Sequence, residues 1–376
     1  MRVGVVLEQC LAPVPGGTGR YSAEIAEALA ATAGPDDSVG GWTAWHRATQ
    51  DARVPGVDGP HRLPLPRRAL VTAWERAALP RPRGVDVVHA PTLLAPLGGV
   101  ARVVVTVHDA VPWTHPETLT PRGVAWHRRM AERVAARADA IVVPTRAVAD
   151  ALADHLSLRR VEVIGEGVSA DLALPADAAD RARRLGLPDG GYLLSLATLE
   201  PRKGLDVLIR ALARTERPAP PLLLVGQPGW GGVDPAELAG QEGLPPDRVR
   251  ALGRLSDADL AVVLARATVL VMPSRAEGFG LPVLEAMAAG TPVVCSADPA
   301  LVEVGGDAVR SAPVGDADAL AAVLGTVLAD SGLRTAMAAR GRLRAAGWTW
   351  ARAAEQLWAL YRDLAVTGSP SSRPSR

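Results

Sequence analysis

The sequence predicts an α/β protein with two domains, each built around a parallel sheet. Short runs of Val, Ile, Leu and Ala, bounded by Gly, Pro or Asp, alternate with longer segments of helical spacing, which is typical of parallel strands joined by helices. The length of 376 residues fits two domains of ordinary size. The alternation starts again at about residue 190, so we expect one such domain in each half.

The first half contains six predicted strands with helices between them. The strands are Arg2–Leu7, Val39–Ala44, Val85–His89, Val103–Val107, Ala140–Val143 and Val161–Ile164. The helices include Arg20–Ala31, Arg122–Ala138 and Ala147–His155. This order predicts a first α/β domain.

The second half repeats the pattern with five predicted strands. These are Tyr192–Ala197, Leu222–Val225, Val249–Leu252, Val269–Met272 and Val293–Cys295. Helices are predicted near Leu205–Ala213, Asp257–Ala265 and Pro282–Ala289. A second α/β domain of similar construction is therefore expected.

The boundary between the domains is predicted near residue 170. Asp171–Asp189 is rich in Ala, Asp and Arg and poor in β-branched residues, which indicates a linker or a short exposed helix. We assign residues 1–170 to the first domain and 171–349 to the second. The amphipathic segment Trp350–Leu364 predicts a last helix, extending over 350–366, and the Ser-, Pro- and Arg-rich residues 367–376 predict a disordered tail.

Composition excludes several classes of protein. The formal charge is +2 up to residue 170 (19 basic and 17 acidic residues) and −1 after it (22 and 23), so neither domain has the strongly basic character of a nucleic-acid binder. Two cysteines, Cys10 and Cys295, form no CxxC pair and no zinc-ligand cluster. The apolar run Val3–Leu7 is too short for a secretory signal, and no stretch has the length of a membrane span, so we expect a cytoplasmic protein.

Glycines precede the first predicted helix. The segment Gly16-Gly17-Thr18-Gly19-Arg20-Tyr21 is interpreted as a glycine-rich loop, whose exposed N–H groups and helix dipole favour phosphate. It does not fit the dinucleotide pattern G-x-G-x-x-G, because Ser22 stands where the third glycine is needed. A dehydrogenase is therefore disfavoured.

A histidine follows a buried strand of the first domain. His108 and Asp109 come directly after the apolar run Val103–Val107. Ligands of open parallel sheets bind beyond the carboxyl ends of the strands. His108 is therefore a candidate functional residue.

The second domain begins with a strand followed by Leu199-Glu200-Pro201-Arg202-Lys203-Gly204. Lys203 is the sole lysine of a chain that otherwise uses arginine for positive charge. A compact ammonium is what many phosphate sites use. We interpret this turn as a phosphate-binding site.

The segment from Pro273 to Glu285 runs from a strand through a loop into a helix. Pro282 suits the first turn of that helix, because its missing N–H is not needed there. Gly278 and Gly280 allow close approach of a ligand, and the N–H groups of Gly280 and Leu281 are candidates to hold a pyrophosphate.

The same segment contains two glutamates and the sole phenylalanine. Glu277 lies before the expected anion site and Glu285 about one turn inside the helix, so the two carboxylates serve different parts of a ligand. Phe279 lies between them. The concentration of unusual residues indicates a functional motif.

These motifs resemble those of a known enzyme family. The Glu-x7-Glu spacing within EGFGLPVLEAMAAGTPVV, with LEPRKG, GGTGRY, VTVHDAVPWTHPE and VVPTRAVADAL, resembles the family-4 glycosyltransferases over residues 1 to about 365. This resemblance implies the GT-B architecture, in which two Rossmann-like domains face each other across a cleft. It also implies that the last helix packs back on the first domain, and that the enzyme retains the anomeric configuration of its nucleotide-activated sugar.

The resemblance implies roles for the second-domain residues. Arg202 and Lys203 would neutralise the donor diphosphate, and the N–H groups of Gly280 and Leu281 would complete that cradle. Phe279 is assigned to the same set of donor-binding residues. Several relatives have another arginine where this chain has Ala197 or Thr198, so Arg202 either supplies that charge or is only a neighbour of the site.

Further roles follow from the same resemblance. Glu285 would bind the ribose hydroxyls, and Glu277 would contact the sugar near the reacting carbon. Gly17 and Gly19 would close on the diphosphate from the other domain. His108 would contact the sugar at the reaction centre.

The resemblance implies transfer without a covalent enzyme intermediate, and we expect no metal or other cofactor if Lys203, Arg202 and the helix N-terminus supply the positive charge. The candidate donor site has no DxD-type carboxylate pair, and the positive groups would take the place of a cation. We expect GDP-mannose as donor first and UDP-sugars next, with a glycan, a glycolipid or a small molecule as acceptor. A GT-B epimerase or phosphorylase, and an inactive sugar-nucleotide-binding regulatory protein, remain alternatives.

One segment suggests contact with a membrane surface. Residues 61–83 interleave six arginines with Leu63, Leu65, Leu70, Val71 and Trp74, and contain one acidic residue, Glu75. A basic amphipathic segment is able to lie on an anionic membrane. The alternative is an arginine-rich solvated surface.

Overall fold

The structure, a computed structural model, describes residues 1–215 and 219–367. The chain forms two compact units, one of Met1–Gly167 with the C-terminal residues from Thr349, the other of Val168–Trp348. The second unit thus begins at Val168, three residues before the predicted boundary, where the Val168 N–H donates to the Trp348 carbonyl at 3.4 Å. Of the predicted tail, residues 368–376 lie outside the described residues, and Thr367 ends the last helix.

The first unit contains a sheet of seven parallel strands. In chain order they are β1 Arg2–Val6, β2 Ser38–Trp45, β3 Asp58–Pro66, β4 Val87–Ala90, β5 Arg102–Thr106, β6 Ala140–Val143 and β7 Val161–Val163. They lie in the order β3-β2-β1-β4-β5-β6-β7, so the direction of winding reverses between β1 and β4. In such a sheet the crevice beyond the strand ends at the reversal is where ligands bind.

Helices connect these strands. They are α1 Gly16–Ala31, α2 Arg67–Arg76, α3 Val111–Thr114, α4 Pro121–Arg137 and α5 Arg146–Ala153. The Thr120 and Thr145 hydroxyls accept the N–H groups of Gly123 and Val148, which caps α4 and α5. The core of this unit is buried between the helices and central strands such as β5 and β6.

The last helix, Trp350–Thr367, belongs to the first unit and packs on α1. Its buried residues Leu357, Trp358 and Tyr361 lie on one face, as 3.6-residue periodicity requires. The Trp358 indole N–H donates to the Leu29 carbonyl at 3.2 Å. The Tyr361 hydroxyl hydrogen-bonds Nδ1 of His89 beneath it.

The second unit contains a sheet of six parallel strands. These are β8 Leu193–Leu196, β9 Leu222–Val225, β10 Val249–Gly253, β11 Val269–Met272, β12 Val293–Ser296 and β13 Arg310–Ala312. Their order is β10-β9-β8-β11-β12-β13, so the reversal lies between β8 and β11. The helices are α6 Ala178–Arg184, α7 Leu205–Ala213, α8 Pro235–Gln241, α9 Asp257–Arg266, α10 Leu281–Ala289, α11 Pro299–Gly305, α12 Ala317–Ala329 and α13 Ser331–Ala345.

The predicted α/β class is confirmed by these two parallel sheets, but two strands were not predicted. Both β3 and β13 form sheet edges, where one side of the strand has no neighbour. Their residues are largely exposed or half-buried, and β3 contains Pro60 and Pro64. An edge strand lacks the continuous apolar run of a central strand, so the pattern used for prediction is missing.

The structure corrects the interpretation of residues 61–83 as one amphipathic segment. Its first part lies in β3 and its second in α2, and Leu63, Leu70 and Trp74 are buried in the core of the first unit. These apolar side chains are therefore unavailable to a membrane, although Arg62 and Arg68 are exposed. Within the described ranges, no single helix has the length and apolar composition of a membrane span.

Candidate functional site

The second unit brings its candidate residues together at the reversal of strand order. The 3-10 turn Pro201–Lys203 follows β8, and the loop 273–280 follows β11, the strand paired with β8. At Gly204 the backbone of the first loop packs directly against the backbone of the second loop. Its φ of 65° is left-handed, and an added Cβ would lie 2.2 Å from the Pro273 carbonyl oxygen, so only glycine fits.

Two cations share one carboxylate in this place. Lys203 Nζ lies 2.7 Å from Glu277 Oε1, and Arg202 Nη1 lies 3.0 Å from Glu277 Oε2. The other arm of Arg202 reaches Glu200 Oε1 at 3.0 Å. The Glu277 side chain is 7% exposed, and those of Lys203 and Arg202 are 15% and 17% exposed. This site, the Lys203–Arg202–Glu277 cluster, is thus largely removed from water.

The cluster determines the ionisation of its members. Burial raises the pKa of Glu277, but the charges of Lys203 and Arg202 outweigh it and lower that pKa to about 2. Burial, and then the charge of Arg202, lowers the pKa of Lys203 from its ordinary value. Glu277 is therefore a carboxylate at neutral pH, held in place by groups that also suit a phosphate.

Two supports of the cluster were not predicted. The Arg275 guanidinium binds both carboxylate oxygens of Asp206, at 2.9 and 2.7 Å, and its backbone N–H donates to the Arg202 carbonyl at 2.8 Å. Asp298 Oδ2 accepts the Glu277 N–H at 3.2 Å. No local pattern indicates the Arg275–Asp206 pair, but Asp298 followed by Pro299 is a helix-start signal that could have been noticed.

Helix α10 begins beside the cluster, and the backbone N–H groups at its start are available to a ligand. Gly280 caps it with a φ of 95°, and an added Cβ would lie 2.4 Å from Leu301 Cδ2. Pro282 stands in the first turn, as predicted. Among the described residues, no acceptor is bonded to the N–H groups of Gly280 and Leu281. The positive end of this helix is thus suited to an anion.

The remaining two residues of this motif are buried. Glu285 is 4% exposed on α10. The Phe279 ring is 4% exposed and packs edge-on against Trp348, with ring centroids 5.2 Å apart. The Phe279 side chain thus serves packing within the second unit, and the assignment of Phe279 to donor binding stays a prediction.

In the first unit the predicted glycine-rich loop is the first turn of a helix. Helix α1 begins at Gly16, so Gly17 and Gly19 have helical neighbours on both sides. The Gly19 N–H donates to the Pro15 carbonyl at 3.0 Å and the residue is buried, whereas Gly17 is exposed with open space where a Cβ would stand. Gly17 is therefore available to a ligand, and Gly19 serves the packing of the turn on Pro15.

His108 lies just beyond β5, as predicted. Its Nε2 is 2.8 Å from the Pro91 carbonyl oxygen, and its Nδ1 is 3.6 Å from Glu166 Oε1. The Tyr21 ring meets the imidazole edge-on, with centroids 4.7 Å apart. Glu166 was not predicted, because nothing in its local sequence relates it to a histidine 58 positions earlier.

A buried polar chain lies behind His108. The Tyr21 hydroxyl meets Thr106 Oγ1 at 3.0 Å, and Thr106 Oγ1 meets Nε2 of His89 at 2.9 Å. Nδ1 of His89 in turn meets the hydroxyl of Tyr361. Burial lowers the pKa of His89 to about 3, so that this ring is neutral and structural.

Comparison with protein families divides the chain in the same way. Residues 15–172 match the model described as Glycosyltransferase Family 4, and residues 179–344 match Glycosyl transferases group 1.

Within the described residues, no group of three or more His, Cys, Asp or Glu side chains is arranged to hold a metal ion.

Several curated proteins are similar to this chain. A D-inositol 3-phosphate glycosyltransferase of Salinispora arenicola is 35% identical over 64% of the chain and 58% of that protein. An O-antigen chain mannosyltransferase B of Escherichia coli is 37% identical over 50% of each. The chain thus spans 58% and 50% of the length of these two proteins. A D-inositol 3-phosphate glycosyltransferase of Acidothermus cellulolyticus is 30% identical over 93% of the chain and 86% of that protein.

Solved structures show the same fold. Sucrose-phosphate synthase from Thermosynechococcus elongatus matches with a TM-score of 0.80 at 24% identity, over 98% of the chain and 100% of the structure. Anabaena HepE in complex with UDP and glucose matches with a TM-score of 0.74 at 20% identity, over 96% and 100%. The fold and the family predicted from the motifs are both confirmed: the chain belongs to the family-4 glycosyltransferases and has the GT-B fold.

Proposed function

We propose that this protein is a retaining glycosyltransferase that moves a hexose from a nucleotide-diphosphate sugar to an acceptor hydroxyl. The observation that carries the proposal is the Lys203–Arg202–Glu277 cluster beside the open start of α10. It combines two cations with unbonded amides at a switch point of strand order, which is where a parallel-sheet unit binds nucleotides.

The cluster suits the charge that develops during transfer. As the bond between the sugar and the diphosphate breaks, negative charge builds up on the leaving phosphate oxygen. Fixed positive groups lower the barrier of such a step, because they need no reorganisation when the charge appears. Glu277 and Glu200 hold Lys203 and Arg202 in position beforehand. We propose that these groups and the α10 amides bind the diphosphate without a metal ion.

The remaining roles are proposed from the family resemblance. Glu277, ionised at neutral pH, accepts hydrogen bonds from sugar hydroxyls near the reacting carbon. Glu285 accepts those of the ribose. Gly17, exposed in the first turn of α1, approaches the diphosphate, and His108 contacts the sugar.

For the donor we propose GDP-mannose first and a UDP-sugar second. Similarity to the O-antigen chain mannosyltransferase B supports mannose. For the acceptor, the inositol-phosphate transferases among the relatives support a small phosphorylated polyol, beside a glycan or a glycolipid. Product analysis with and without acceptor separates transfer from the alternative epimerase or phosphorylase chemistry.

Thermal unfolding with nucleotides tests the donor class. We expect GDP to raise the melting temperature, and EDTA to leave that increase unchanged, because a ligand that binds the native state stabilises it by mass action. UDP, ADP, TDP and NAD serve as comparisons. Stabilisation by UDP alone would transfer the proposal to UDP-sugars. Stabilisation by NAD alone, or by none of the five, would contradict it.

We further propose a cytoplasmic location, with contact to anionic membranes restricted to exposed arginines. Arg68 and Arg76 lie exposed on α2, while Leu70 and Trp74 of that helix are buried. Binding to vesicles is then electrostatic and is lost at high salt.

Co-sedimentation measures this contact. The wild type is expected to bind vesicles containing anionic lipid more than neutral ones, and the double variant Arg68→Gln/Arg76→Gln is expected to bind less. Arg183→Gln, which removes an exposed arginine of the second unit, is the control. Binding that is indifferent to anionic lipid contradicts the proposal.

A further inference from the structure

Both ring nitrogens of His108 face oxygen atoms of the first unit. Nε2 lies 2.8 Å from the carbonyl oxygen of Pro91, which only accepts hydrogen bonds. Nδ1 lies 3.6 Å from the Glu166 carboxylate, within the distance of an ion pair. A neutral imidazole has one N–H, so it would turn a lone pair toward one of these oxygens. The doubly protonated ring satisfies both.

The surroundings of Glu166 require a positive partner. Glu166 is 5% exposed, and a buried carboxylate is costly unless a positive charge or hydrogen bonds compensate it. In the described part of the chain, the ion pair with His108 is its one pairing with a basic side chain. The His108 ring is thus the group that compensates this charge.

The other groups around His108 do not replace that interaction. From α1, the Tyr21 ring presents its edge, and burial keeps its hydroxyl protonated. From β4, His89 is neutral. Asp109, the next residue along the chain, adds a second negative charge. Burial alone would lower the pKa of His108, but the hydrogen bond and charge of Glu166 outweigh it and raise the pKa above its ordinary value.

We propose that Glu166 is a positioning residue that fixes the His108 ring and keeps it as an imidazolium, so that His108 acts as a fixed cation and not as a base. The inference rests on the proposed transfer. His108 then accepts no proton. As the bond from acceptor oxygen to sugar carbon forms and the bond from carbon to phosphate oxygen breaks, the hydroxyl proton passes to the departing phosphate oxygen on the same face.

The direct test is the titration of His108 by NMR in the full chain, without substrate. Glu166→Gln keeps the size of the side chain and removes its charge. We expect the titration midpoint of His108 to fall by about one pH unit or more, because an opposite charge is lost. Glu162→Gln, which removes a half-exposed carboxylate paired with Arg160, is expected to leave the midpoint unchanged.

The kinetic test separates positioning from a merely structural role. If the imidazolium is required, kcat/KM falls as pH rises through the His108 pKa. This alkaline limb is expected to move to lower pH in Glu166→Gln, by the same amount as the NMR midpoint. Glu166→Asp, which keeps the charge, is expected to restore part of the shift. Thermal unfolding of each variant checks that it is folded.

An unchanged His108 midpoint in Glu166→Gln overturns the inference, as does an alkaline limb that does not move. If Glu166→Gln fails to fold, the same measurements on Glu166→Ala, which also removes the charge, decide. The NMR titration needs no turnover. A protein without transferase activity but with the expected midpoint shift would therefore contradict the proposed function and leave the His108–Glu166 pair established.

Discussion

Lys203→Ala is expected to lower kcat/KM by about 10²–10³-fold, the usual cost of removing one fixed group that stabilises developing charge. Its ammonium is held 2.7 Å from Glu277 in a largely buried cluster, so no other side chain moves into its place at low cost. Lys203→Arg keeps the positive charge and is expected to retain far more activity, although the larger planar group fits a compact site poorly.

Steady-state kinetics with the donor identified by thermal shift measures this effect. Arg214→Ala is the matched control, because it removes a half-exposed cation at the end of α7 that pairs with Asp318. Equal residual activity of Lys203→Ala and Lys203→Arg would remove Lys203 from the role proposed for it.

Glu277→Ala is expected to lower both activity and stability. The substitution leaves Lys203 and Arg202 buried without their shared carboxylate, and breaking a buried ion pair from one side costs about 3–5 kcal/mol. The free energy of unfolding in denaturant is the measurement. Glu237→Ala, at an exposed position of α8, is expected to change it little.

The contribution of the ionised Glu277 to stability also depends on pH, in a defined direction. The folded pKa of Glu277, about 2, lies below its unfolded value near 4.5. Its ionised form therefore stabilises the fold fully above pH 4.5, and this contribution is lost as the pH falls through 2. The difference in unfolding free energy between wild type and Glu277→Gln should narrow over that interval. A difference that is constant with pH would contradict the assigned pairing.

The central strands were the most predictable part of the fold. Ala140–Val143, Leu222–Val225 and Val269–Met272 begin and end at the predicted residues. Strands buried on both faces need continuous apolar runs, and such runs are visible in one dimension. The edge strands β3 and β13 do not require a continuous apolar run, so the sequence pattern did not predict them.

The motifs around the site were also visible in the sequence, because each depends on local geometry. Gly280 and Pro282 mark the start of α10 by the backbone angles they permit. Lys203 stood out as the sole lysine. The predicted start of α1 was wrong. Three glycines are typical of a loop, but here they lie in the first turn of the helix.

The sequence by itself thus determined the α/β class, the family and the segments that form the site. Only the tertiary structure decided which side chains meet: Glu277 with Lys203, Arg275 with Asp206, and Glu166 with His108. The partners in each pair are separated by more than 50 residues. Their meeting depends on the order of strands in the sheets and on which loops that order places side by side, and local propensity carries no information about either.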